Sequence, residues 1–366
     1  MNSDLTKIES KYRVIGVMSG TSLDALDLAL VEFEKVVSTW HYQVIQTKEI
    51  PYPSDFRQKL SRSTAFEAAD LIALDFELGQ FIGEAIRDYF SSFEIDFIAS
   101  HGHTIYHQPN KNISLQIGAP SKIYETTGCP VISDFRSADV QNGGQGAPLV
   151  PIGDQLLFAN YECCLNLGGI ANCSFQLKGE RIAYDLMPFN MALNKLAQRL
   201  NQPYDVDGNL ARSGKLIPSL LADLSTIKYY HVKAPKSLGY EDFSEFWEPL
   251  ISNEVYQTKD LLHTYVQHAA KTIADELNAH LKETSKLLVT GGGAFHSFFI
   301  ELLEKNFLGK LIVPSAEVIN FKEAIIFAFL GVLRTRNEPN CLASVTGALK
   351  NSSSGKLTGF QEKNIQ

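Results

Sequence analysis

The chain has 366 residues, 45% of them hydrophobic and 20% charged, a balance that suits a globular protein with a real core. At roughly 100–200 residues per domain, this length predicts two domains. The formal net charge of -8 argues against nucleic acid as a partner, because counterion release needs clustered Lys and Arg. It leaves room for a small anionic ligand, since the local field of a cleft outweighs the net charge.

Taken in chain order, Met1–Arg13 is charged and has no apolar centre, so it does not read as a signal peptide. Val14–Val17 reads as a strand, Met18–Asp24 as a polar turn and Leu26–Phe33 as a returning strand. The tip of that hairpin carries Gly20, Thr21 and Ser22, with two acids at Asp24 and Asp27. Residues 56–90 have helical spacing. Two short strands follow, Ile95–Ala99 running into His101 and His103, and Val131–Ser133 running into Arg136. Gly and Pro crowd residues 141–151, which marks an irregular crossover and divides the chain into lobes 1–150 and 151–366.

Beyond the crossover, Cys163–Leu167 leads into Gly168 and Gly169, and Ile170–Leu177 leaves them. This second hairpin repeats the layout of the first, though not its residues, which points weakly to an internal duplication. Asp260–Leu281 is an amphipathic helix with Leu261, Leu262, Tyr265, Val266, Ala269, Ile273 and Leu277 on one side. Leu287–Val289 is a strand ending in Gly291, Gly292 and Gly293, and a helix begins near Phe295. The longest apolar run, Ala324–Leu333, is about half of what a bilayer span needs and reads as a buried helix. The tail from Asn351 is polar and expected to be loose. Strands alternating with helices make this an α/β chain. Five cysteines without a CxxC pair suggest reduced thiols in a cytoplasmic protein, with no membrane association.

Three glycine-bearing turns following three strands suggest phosphate handling. Without a Cβ, backbone N–H groups approach an anionic oxygen closely. Thr21 and Ser22 add hydroxyl donors, and Asp24 and Asp27 are candidate Mg²⁺ ligands. No Walker A motif competes: residues 208–215 have one residue too many between glycines, and Leu216 stands where Ser or Thr is required. The dinucleotide fingerprint is missing as well. His101, His103 and His107 invite a metal, but no acid or cysteine lies near them in sequence, so hydrogen bonds to a polar ligand or the backbone are the better reading. Asp185, at a strand end, is either a general base or a cap. Glu323 opens the apolar helix, where it also favours the helix dipole, and Arg136 is within reach of Asp139 for a simple pair.

Together these segments resemble the anhydro-N-acetylmuramic acid kinases. The matching stretches are Gly16–Asp24, Ser100–Thr104, Asp134–Asp139, Gly143–Pro151, Asn166–Asn172, Tyr204–Gly208, Gly291–Ala294, Glu323-Ala324 and Thr346–Ala348, in family order over nearly the whole chain. The resemblance implies a two-domain actin/hexokinase-like (ribonuclease H-like) fold with ATP in the interdomain cleft. It also implies a coupled reaction, in which water opens the 1,6-anhydro ring while the γ-phosphate of ATP goes to O6. The product is N-acetylmuramic acid 6-phosphate, an intermediate of cell-wall recycling. By this likeness Asp185 activates the water and Glu323 supports it. Gly20 to Asp27, with Gly168 and Gly169, hold phosphates and Mg²⁺, and Gly291–Gly293 flank the nucleoside. His101, His103, Arg136, Gly146 and Asn190 fall on the sugar side, and a homodimer is expected.

The chain departs from the family at its catalytic strand end. Asp-Thr-Gly-Pro-Gly-Asn becomes Asp185-Leu-Met-Pro-Phe-Asn190, so Met187 and Phe189 replace two glycines. Such residues restrict the backbone and are expected to fill space near the sugar. Asn194 replaces an Asp, Ala25 a Gly and His296 an Asn. Two alternatives therefore accompany the main expectation: a kinase of another anhydro-sugar or amino sugar, and a catalytically silent nucleotide or sugar sensor.

Overall fold

The computed structural model describes residues 11–360 apart from Thr21, Ser22 and Asp24. In chain order the strands are β1 (Lys11–Ser19), β2 (Ala25–Val36), β3 (Thr39–Pro51), β4 (Phe97–Ser100), β5 (His103–Gln108), β6 (Ile113–Ile117) and β7 (Val131–Ser133). After them come β8 (Cys163–Leu167), β9 (Ile170–Leu177), β10 (Glu180–Pro188), β11 (Lys286–Thr290), β12 (Lys310–Ile312) and β13 (Lys356–Thr358). The chain forms two compact units, one holding the residues up to Leu157 together with those from Phe321 onward, the other Phe158–Asn320. Among the described residues, no helix is long and apolar enough to cross a membrane.

The sheet of the first unit has the order β13-β7-β4-β1-β2-β3. β1, β2 and β3 form an antiparallel meander, whereas β4 and β7 run parallel to β1. Val14, Ile15 and Val17 on β1 and Leu28–Val31 on β2 are fully buried, as expected of central strands covered on both faces. Helix Ala68–Phe90 lays Leu74, Leu78, Ile82 and Ile86 on one face of the sheet. At Gly16 the backbone of β1 meets helix Ala316–Thr335 so closely that a Cβ would lie 1.8 Å from the Ala324 carbonyl oxygen. That contact explains why a glycine at residue 16 and the Glu323-Ala324 pair belong to one arrangement.

The second unit has the order β10-β9-β8-β11-β12, again with an antiparallel hairpin on one side of the central strand and parallel strands on the other. The order β3-β2-β1-β4-β7 of the first unit is therefore repeated strand for strand. The layout shared by the two sequence hairpins is the visible part of this repeat, which is the ribonuclease H-like arrangement. The core of the second unit forms around helix Thr258–Asn278, whose Leu261, Leu262, Tyr265, Val266, Ala269, Ile273 and Leu277 are all fully buried.

Two sequence expectations change. Residues from Phe321 onward join the first unit and not the second, because the helix that carries them packs on β1 and β13 pairs with β7. The tail from Asn351 is ordered as far as it is described. Asn340 exchanges hydrogen bonds with both backbone groups of Ser354, at 2.7 and 2.8 Å, and Ser354 is fully buried. A polar composition missed this, because the segment gains its order from the sheet edge it completes.

Candidate active site

Parallel strands end on one side of a sheet, and ligands of α/β folds bind outside those carboxyl ends. In the first unit β1, β4 and β7 end at Ser19, Ser100 and Ser133, so Gly20, His101 and Arg136 all lie in loops on that side. Asp27 pairs with Met18 at the same end of the sheet. Its carboxyl is pushed up to about 7 by burial first, then by the negative charges of Glu49 and Glu323. Glu323 is open to solvent yet also raised, by desolvation, with Arg136 and Lys322 opposing. Beneath it Lys322 forms a buried ion pair with Asp154 at 2.7 Å. Thr21, Ser22 and Asp24 lie outside the described residues.

The histidines do not form a metal centre; among the described residues no three His, Cys, Asp or Glu side chains come together as a metal site. His101 accepts from Arg136 through Nε2 and bonds the Gly102 carbonyl through Nδ1. Both ring nitrogens of His101 are thus used within the protein. His103 Nδ1 lies 3.3 Å from the Ser19 hydroxyl, which accepts from Tyr52 at 2.8 Å. Burial pulls His103 and His107 below the usual histidine range.

Arg136 does not pair with Asp139. Its Nη1 donates to the Gly146 carbonyl at 2.8 Å, while Asp139 accepts from the Gly146 N–H and from the Thr346 hydroxyl. Asp139 is fully buried and pins the Gly-rich loop to the Thr346–Ala348 stretch. Sequence reasoning did not single out Ser19, Tyr52 or Asp139 as site residues. Ser19 and Asp139 lie inside the family-like stretches, whereas Tyr52 lies in none of them and carries no local signal.

In the second unit, β8, β10 and β11 all end on one side, bringing Gly168, Gly169, Asp185, Asn190 and the triple glycine to the same edge. The carbonyls of Gly168 and Gly169 receive the first N–H groups of helix Asn190–Gln198 and that of Phe189. Gly291 takes a left-handed φ of 80°, and a Cβ there would lie 2.6 Å from Asn166 Oδ1. Asn190 donates to the Leu167 carbonyl at 2.9 Å and lies beside Gly292, so it belongs to this glycine cluster. Asp185 sits at a β-bulge in β10. Its Oδ2 accepts from the Leu238 N–H at 2.9 Å, and the Tyr229 hydroxyl holds its backbone carbonyl. Burial raises its carboxyl and the Leu238 bond partly offsets that.

Over residues 12–359 the sequence matches the family model described as anhydro-N-acetylmuramic acid kinase. The chain belongs to the anhydro-N-acetylmuramic acid kinase family. A relative carrying that name in Bacillus thuringiensis subsp. konkukian is 32% identical, covering 94% of this chain and 98% of its own length. Another, in Hydrogenovibrio crunogenus, is 33% identical over 94% and 97%. Among solved structures, a ROK family glucokinase from Streptomyces griseus overlays with a TM-score of 0.41 at 14% identity, covering 87% of this chain and 98% of that one. At that score it bears no weight.

Membership in the anhydro-N-acetylmuramic acid kinase family makes the chain a sugar kinase and bears directly on its two lost glycines. Met187 and Phe189 are fully buried in the core of the second unit. The Phe189 ring meets Phe299 edge-on at 4.6 Å, and a Cβ on Gly293 would lie 2.4 Å from it. Both side chains are spent on packing in that core. His296 likewise serves the interior. Its Nδ1 accepts from Phe299 N–H at the start of helix Ser297–Asn306, and its ring packs on Gly208.

Proposed function

We propose that this kinase converts 1,6-anhydro-N-acetylmuramic acid to N-acetylmuramic acid 6-phosphate in peptidoglycan recycling, with ATP as phosphoryl donor and Asp185 as general base. The observation that carries the base assignment is the state of Asp185. One carboxylate oxygen is anchored by the Leu238 N–H, and Oδ1 has no hydrogen-bond partner among the described residues. A carboxylate oriented through one oxygen and made more basic by burial is suited to take a proton from water through the other. Asp185 accepts that proton as the water oxygen bonds to C1. The C1–O6 bond breaks, and O6 keeps the electron pair with which it bonds the γ-phosphorus, while the bond from that phosphorus to the β,γ-bridging oxygen breaks and ADP leaves with its electrons. One geometry thus serves both steps.

Asp27 and Glu323 fit a Mg²⁺ that travels with the nucleotide. The like charges around Asp27, which help to push it up to about 7, describe a site short of positive charge. Mg²⁺ takes one or two carboxylates and completes its shell with water and phosphate oxygens, so a full protein cage is not required. When bound, the ion neutralises charge on the phosphates. The open face of Gly169, where a Cβ would meet nothing within 4 Å, and the left-handed Gly291 fit close approach of a nucleotide to the backbone.

The test is turnover of the anhydro-sugar with MgATP, the product identified by mass. A product heavier by one phosphoryl group and one water is expected, and Asp185→Asn should lower kcat by about 10²–10⁴-fold with ATP binding retained. A near-normal rate in that variant would remove Asp185 as the base. ATP binding without any product would favour the silent sensor.

A further inference from the structure

Two of the hydrogen bonds that hold Asp185 come from one irregular piece of chain. The Asp185 N–H donates to the Lys236 carbonyl at 3.0 Å, and Oδ2 accepts from the Leu238 N–H at 2.9 Å. A third partner, the Tyr229 hydroxyl, donates to the Asp185 carbonyl at 2.9 Å. Residues 232–239 form no helix or strand, so no regular ladder keeps them against β10. Residues 231–237 are exposed with one exception, the half-buried Lys236. Its ammonium lies 4.7 Å from the centroid of the Tyr229 ring and 6.0 Å from that of Tyr184. The same Nζ is 3.4 Å from the Tyr229 carbonyl oxygen, and Glu276 attracts it electrostatically. Both rings are buried, and the Tyr184 hydroxyl donates to Glu276 at 2.7 Å, so the seat itself is fixed.

We propose that Lys236 is a positioning residue: its cation, seated on Tyr184 and Tyr229, latches residues 236–238 onto β10 and so aims the free oxygen of Asp185. The proposal rests on the reading of Asp185 as the base. A cation within about 6 Å of an aromatic centroid is attracted by the ring face, and more strongly where water is excluded. The Lys236 carbonyl and the Leu238 N–H are two residues apart on an otherwise unsupported stretch, so without the latch both loosen together. Asp185 then loses a backbone partner and its anchored oxygen, and its carboxylate samples rotamers that turn away from the water. A misplacement of about 1 Å is enough to cost on the order of 10²-fold in rate. Lys236 acts through Asp185 and not on the sugar.

The test measures kcat and KM for the anhydro-sugar and for ATP in single and double variants of the full chain. Lys236→Met keeps the stem and removes the charge. It should lower kcat by roughly 10–100-fold with the KM of ATP unchanged. Lys236→Arg seats a cation on the same rings and should recover most of the rate. A double-mutant cycle separates aiming from general support. In an Asp185→Asn background, which has no base to aim, Lys236→Met should cost less than about twofold. An undiminished cost in that background overturns the proposal, as does a near-normal kcat in Lys236→Met alone. A loss carried only by the KM of ATP does the same. If Lys236→Met does not fold, Lys236→Gln, which keeps an N–H donor without the charge, is read by the same cycle. Near-normal turnover by Asp185→Asn would sink the base assignment and this inference with it. A slow Asp185→Asn beside an unimpaired Lys236→Met would sink this inference alone.

Discussion

Asp27 shows how one residue can be tuned by a sheet end. Burial, with its neighbours Glu49 and Glu323, pushes its carboxyl up to about 7 from an ordinary 3.8. Between those values the folded chain holds a proton that the unfolded chain has released. Stability from this group is therefore present below about pH 4 and is lost as pH rises through about 7. Asp27→Asn removes the penalty. In the absence of nucleotide it should match wild type in thermal melts at pH 4 and exceed it by about 1 kcal/mol at pH 8, allowing for solvent screening. The same variant should lose Mg²⁺-dependent turnover. Equal melting at both pH values would show that Asp27 carries no such strain.

At the scale of an element, the end of β10 separates two roles within six residues. Asp185 faces the strand-end edge with one oxygen anchored, while Met187 and Phe189 face the core. The bulge between Asp185 and Met187 accommodates this change of direction. Restoring the family's glycine with Phe189→Gly should therefore cost about 3–5 kcal/mol, as deletion of a fully buried aromatic does. It should leave the relative rates on different anhydro-sugars unchanged in the folded fraction. A broadened sugar range, measured across a panel of anhydro-sugars, would place the ring at the site instead.

At the scale of the whole molecule, one strand order serves twice, and each unit gathers its motif residues at the carboxyl ends of its parallel strands. The first unit is closed by a late piece of chain, since β13 pairs with β7 and Arg334 donates to the Gly355 carbonyl at 2.8 Å. Ending the chain at residue 350 should therefore lower the melting temperature by several degrees and expose the edge of β7 to association. Unchanged melting, with the truncated chain still monodisperse, would mean that β13 contributes nothing to the unit.

Much of this was legible in the sequence because it depends on local pattern. The apolar runs at 14–17 and 163–167 declare central strands, the spacing of Leu261 to Leu277 declares a buried helix face, and ordered motifs over nearly the whole chain declare the family. Composition could not say that the tail would be ordered, because its order comes from an edge strand supplied some 220 residues earlier. Nor could it say that His101 serves Arg136, that Asp139 serves Gly146 and Thr346, or that Phe189 turns inward. Side-chain direction at a strand end, and the partner of a buried polar group, follow from which distant segments the fold brings together. Sequence alone determined the elements and the reaction class; only tertiary contact decided which of the motif residues face outward with free hydrogen-bonding capacity and which are spent holding the others in place.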